Sequence, residues 1–90
     1  MTQFPRIHLN GTGGPQLLAE YVVAMEAVQK AIDAVGAVTC HGRDYYTISS
    51  EAASTAFAER AARLVALEKV RSELEAIALN INEQIDDRAR

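Results

Sequence analysis

The sequence predicts an all-α protein: an antiparallel two-helix hairpin with an irregular N-terminal head, assembled into a helical-bundle homo-oligomer. Three observations carry this. Leu18, Tyr21, Met25, Val28, Ile32 and Val35 recur at alternating spacings of three and four, a heptad seam. The stretch after Ser50 contains neither proline nor glycine. And 90 residues spent on two helices leave most of each flank bare, a condition that oligomerisation relieves.

The elements follow in order within a single domain. Residues 1–14 are the head, where Pro5, Gly11, Gly13 and Gly14 exclude a regular helix. Ile7-His8-Leu9 reads as extended, with Ile7 and Leu9 on one side and His8 on the other. Pro15 suits a first helical position, so helix 1 is placed at 15–38. Gly36 and the apolar pair Ala37-Val38 put its end between 36 and 39. The turn is 39–50, with Ser50 as the expected N-cap and Glu51 in the first turn. Helix 2 is placed at 51–87, with Phe57, Leu64, Leu67, Val70, Leu74, Ile77, Ile81 and Ile85 among its apolar positions. Val65, Leu79, Leu17 and Val23 lie off the main stripes and suit a second hairpin. Glu59 and Arg63 form an i,i+4 pair of the kind found on solvated faces.

At 1.5 Å per residue helix 1 spans roughly 37 Å and helix 2 roughly 55 Å. With a tight turn the excess falls at the far end of helix 2, about residues 76–87, where Phe4, Ile7 and Leu9 are expected to cover part of it.

Composition removes several function classes. A net charge of −3 and a pI near 5.3 do not supply the basic face that duplex nucleic acid demands. No apolar run approaches the ~18–20 residues of a membrane span. The N-terminal residues lack a signal-peptide core, and Cys40 is the single cysteine, so no internal disulfide forms. The expected location is the cytoplasm.

Two polar clusters stand out. The turn holds His41, Gly42, Arg43, Asp44, Tyr45 and Tyr46, far more chemistry than a helical connection requires. Arginine grips phosphate or carboxylate bidentately, and tyrosine stacks on planar rings. The plain alternative is that the tyrosines plug the hairpin end while Arg43 and Asp44 pair or cap. The second cluster is His8, Asn10, Gly11 and Thr12 ahead of helix 1, where free N–H groups and close backbone approach favour anions. Its plain alternative is a lead-in capped by Asn10 or Thr12. It is no Walker A loop, since the Gly-Lys-Ser/Thr ending is missing.

The clusters sit at opposite ends of helix 1, roughly 37 Å apart. The head reaches back about 20 Å at most from Gly14 to His8. A single site built from both therefore needs two chains, and an antiparallel pairing of hairpins supplies them. No enzyme is expected: Cys40 and His41 are adjacent and diverge, and the acids of helix 2 are scattered. Neither a metal site nor a cofactor is expected, because His8, Cys40 and His41 lack paired ligand spacing.

The segment His8-Leu9-Asn10-Gly11-Thr12, together with Gly42-Arg43-Asp44-Tyr45-Tyr46 in the turn, resembles small accessory proteins of tailed phages and prophages. That resemblance implies a location inside an infected bacterial host. By analogy with anti-defence sponges it implies sequestration of a nucleotide-derived immune signal between protomers. On this reading Arg43 contacts phosphate and Tyr45 or Tyr46 stacks on a base. Asn10, Gly11 and Thr12 supply hydrogen bonds, and His8, His41 and Asp44 stand at the edge. The competing expectation is a structural or protein-interaction helical module with no small-molecule ligand.

Overall fold

The computed structural model describes residues 2–89. Two helices, α1 (Gly14–Ala37) and α2 (Ser50–Ala89), are joined by a loop containing one 3-10 turn, Gly42–Asp44, and there is no strand among the described residues.

Pro15 lies in the first turn of α1, where its missing N–H costs nothing. The helix starts without a side-chain cap, so neither Asn10 nor Thr12 serves as one; the Gly13 carbonyl accepts the first helical bond, from Leu17 N at 2.9 Å. Gly36 stays helical, and α1 ends at Ala37 with Val38 extended. The exposed carbonyl of Gly36 accepts from Arg60 Nη2 at 2.6 Å. A cation at this helix end meets both an orphan acceptor and the negative pole of the dipole.

The cap of α2 is Ser49, not Ser50: its Oγ accepts from Ala52 N at 3.0 Å, and Ser50 is already helical. Ser49→Ala is expected to cost about 1 kcal/mol and Ser50→Ala only a few tenths. Urea melts of the two variants will separate them, and equal costs would contradict the assignment.

The register of the helices differs from expectation. A Cβ on Gly14 would fall 2.8 Å from Ile85 Cγ1, so the start of α1 lies level with residue 85. Its end lies level with Arg60. The unmatched part of α2 is therefore its beginning, residues 50–59, and not residues 76–87. That overhang is about 15 Å long. Two causes act together. The loop 38–49 is long enough to run past the end of α1 and return. And in this register Ile77 and Ile81 obtain Leu17, Leu18 and Tyr21 of α1 as packing partners.

The head folds against the end of α2. Ile7 is buried with Ile77 and Ile81, and Ile85 flanks the cluster. Ile7 N donates to Gln84 Oε1 at 2.8 Å, and Gln84 Nε2 donates to Pro5 O at 2.9 Å. Arg88 Nη2 donates to Ile7 O at 2.8 Å. Leu9 does not join the cluster: it is 94 % exposed, because the chain turns at His8, whose carbonyl accepts from Gly11 N, and the extended alternation ends there. Phe4 is also exposed.

Burial is concentrated at this end. Ile81 is the one large side chain wholly enclosed among the described residues, while Met25, Val28, Ile32 and Val35 of the seam are half-buried. The molecule is a rod of 63 × 23 × 20 Å. Its radius of gyration is 19.2 Å, against ~12 Å for a globular chain of this length. It exposes 6717 Å², about 1,500 Å² beyond what a globular monomer of 9.8 kDa shows.

Candidate functional site

The overhang of α2 makes a recess. The first turns of α2 form one wall, the end of α1 a second, and the loop folds across as a third. The space is about 480 Å³. Val35, Val38 and Ala56 supply an apolar floor, while Tyr45, Glu59, Arg60 and Arg63 supply polar walls. Thr39 and Cys40 line its loop side. A volume of this size accommodates a small organic ligand.

The loop that closes the recess is held by local bonds. His41 Nδ1 accepts from Arg43 N at 3.1 Å, and His41 O accepts from Asp44 N at 3.1 Å. Tyr45 N donates to Gly42 O, and Tyr45 O accepts from both Ile48 N and Ser49 N. The backbone around Tyr45 is thus fixed at both its donor and its acceptor. Tyr46 lies against Gly42, where a Cβ would come within 3.2 Å of its ring. Its ring is otherwise exposed, as are His41, Arg43 and Asp44.

Of the side chains singled out in the turn, Tyr45 alone lines the recess. Arg43, Asp44, Tyr46 and His41 ring the outside of the loop. The ion pairs among the described residues are Arg63–Glu59 and Arg71–Glu75, so neither Arg43 nor Asp44 engages in one. His8, Asn10, Gly11 and Thr12 are exposed at the opposite end of the rod, where the head is fastened to Gln84 and Arg88. The imidazole of His8 rests over Gly11, close enough that a Cβ there would lie 2.8 Å from Nε2. With 24 residues of α1 between them, the two clusters are about 36 Å apart and share no site within one chain.

Arg60 and Arg63 are the residues that sequence reasoning missed. Their i,i+3 spacing puts them on one face of α2, but that face is also where a solvated ion pair would sit. Only the position of the overhang distinguishes the two. Arg60 is already committed through Nη2 to the Gly36 carbonyl, while its enclosed Nε has no acceptor. Such a buried, unmatched donor costs about 1–3 kcal/mol. Arg63 Nη2 meets Glu59 Oε2 at 3.5 Å, a long contact between side chains that are 64 % and 57 % exposed. Pairs of this kind contribute little, about 0–1 kcal/mol, and exchange readily with other partners.

Among the described residues no three His, Cys, Asp or Glu side chains gather as metal ligands, and no helix is long and apolar enough to cross a membrane. No protein-family model, curated protein or solved structure matches this chain.

Proposed function

We propose that this chain is a non-enzymatic phage accessory protein that binds and sequesters a phosphate-bearing small molecule, a nucleotide-derived immune signal, at sites between protomers of a homo-oligomer. The recess carries the reading: it joins a half-buried tyrosine to two arginines over an apolar floor. A planar group stacks on Tyr45, and the phosphates face the cations. Arg43, His41, Asp44 and Tyr46 stand around the rim. The head of an antiparallel second chain then brings His8, Asn10, Gly11 and Thr12 to the same rim and closes the site.

The oligomer has its own support. The surplus of about 1,500 Å² is close to what two ordinary interfaces bury per subunit, at about 800 Å² each. Light scattering on the purified protein should give a multiple of 9.8 kDa. A stable monomer at micromolar concentration contradicts this part of the proposal.

Thermal shift with cyclic di- and trinucleotides and ADP-ribose derivatives tests the ligand. At one hundred times Kd a ligand adds about 2.7 kcal/mol, which for a domain of this size raises Tm by about 10 °C or more. Arg43→Ala should weaken the shift and reduce phage fitness on hosts with nucleotide-based immunity. If nothing in the panel moves Tm and Arg43→Ala is without effect, the binding proposal fails.

The second reading is a structural or protein-interaction module without a small-molecule ligand. The apolar side chains left open along the rod, Val22, Val23, Val65 and Leu79, favour it. An intact oligomer that ignores every nucleotide while a macromolecular partner covers these positions would select this reading.

A further inference from the structure

We infer that Arg63 and Arg60 form the anion grip of the recess, and that Glu59 is an internal competitor which a phosphate-type anion must displace. The inference deepens the ligand reading above by naming which cations hold the phosphates and what regulates them, and it rests on that reading only for the nucleotide part of the ligand.

Arg60 and Arg63 are one helical turn apart on α2, and both line the same recess. Val35, Val38 and Ala56 line the same recess beside them. Charge–charge attraction is stronger beside such low-dielectric walls than on an open surface. A phosphate or pyrophosphate presents several acceptor oxygens, enough to serve two guanidinium groups at once.

The donors are also available. Arg60 gives Nη2 to Gly36 O and its Nε is enclosed, so what it offers an anion is its charge and its remaining terminal N–H groups. Arg63 makes a single long contact with a carboxylate that itself lines the recess. Glu59 thus occupies the place of the ligand anion. In the exchange an incoming phosphate oxygen takes the Arg63 donor, and the Glu59 carboxylate, still charged, turns to water. Arg43 is exposed outside the recess and does not line it.

The consequence is a gain of binding on removing an acid. Glu59→Gln frees Arg63 and cancels one repelling charge, so inorganic pyrophosphate should bind ~2–5-fold more tightly. Arg63→Ala should weaken it by about tenfold, the loss of one charge-assisted contact. Arg43→Ala, outside the recess, should weaken it less than Arg63→Ala does. Nitrogen–proton correlation spectra of the full chain, titrated with inorganic pyrophosphate at fixed ionic strength, give these affinities and show the shifts at Ala56, Glu59, Arg60 and Arg63. Arg63 is exposed and caps no helix, so its variant reports on binding with the fold intact; circular dichroism confirms that for each variant.

Absence of saturable shifts around α2, shifts that survive Arg63→Ala, or unchanged affinity in Glu59→Gln would each overturn the inference. The outcomes separate it from the nucleotide reading. Pyrophosphate binding that depends on Arg63, with no nucleotide raising Tm, keeps the grip and rejects the nucleotide. A nucleotide that stabilises the Arg63→Ala variant as well as the parent rejects the grip alone.

Discussion

Ile81→Ala is expected to remove about 2–5 kcal/mol of stability. Ile81 is 0 % exposed, the best-enclosed large side chain of the described chain. The alanine leaves a hole among Ile7, Ile77 and the flanking Leu17, Leu18 and Tyr21, which come from three different parts of the chain. Collapse into that hole would have to draw the head, α1 and α2 together, and Gly14 already lets Ile7 and Ile85 approach the helix backbone closely. A domain of this length has about 5–13 kcal/mol in total, so the loss is a large share of it. Urea unfolding at several protein concentrations will measure the change and expose any contribution from assembly. Val28→Ala, from the half-buried middle of the seam, is the comparison and should cost distinctly less unless a second chain covers it. A cost below about 1 kcal/mol for Ile81→Ala would show that this cluster is not the core.

The second large effect is expected from Gln84→Leu. Gln84 accepts from Ile7 N and donates to Pro5 O and to Asn80 Oδ1. Leucine keeps the bulk and removes all three bonds. The partly buried Ile7 N–H and Pro5 carbonyl then lose their partner, at a cost of about 2–4 kcal/mol. The effect is local: amide exchange at Ile7 should accelerate and proteases should gain access to the head, with the helical signal of α1 and α2 largely kept. Gln84→Glu retains an acceptor for Ile7 N but loses the donor to Pro5 O, so it should fall between the two. Unchanged protection at Ile7 in Gln84→Leu would mean that the head is held by Ile7 packing and Arg88 alone.

The helices themselves were legible because their signals are local. Leu18 to Val35 announces α1 through periodicity, and the run after Ser49 announces α2 through the lack of any breaker. The register was not legible. Sliding α2 by several residues preserves an apolar stripe, and the loop 38–49 can be drawn tight or long with the same composition. What decides is the pairing of Ile77 and Ile81 with Leu17, Leu18 and Tyr21, a contact between residues about sixty apart in the sequence. The site inherits that ambiguity. Tyr45 could be singled out from its type and its place in a turn, but the neighbours that give it a recess are set by register. Arg63 beside Glu59 reads as a solvated pair until the loop is seen to fold over it. Leu9 shows the reverse error, an apolar residue assigned to a buried side by alternation that a turn at His8 interrupts.

The fastening of the head to α2 has a topological consequence. Pro5 and Ile7 bond to Gln84 and Arg88 across separations of 77 to 81 residues, so the head and the last turns of α2 meet and the described chain nearly closes on itself. A short linker could join the head to the end of α2, and the chain could be opened instead at the exposed stretch Tyr46-Thr47-Ile48. Such a circular permutant keeps every contact of the buried cluster and makes the clasp a local one. It severs only the loop that forms one wall of the recess. The fold and the recess of this protein are therefore separable by where the chain is cut, without changing a single side chain.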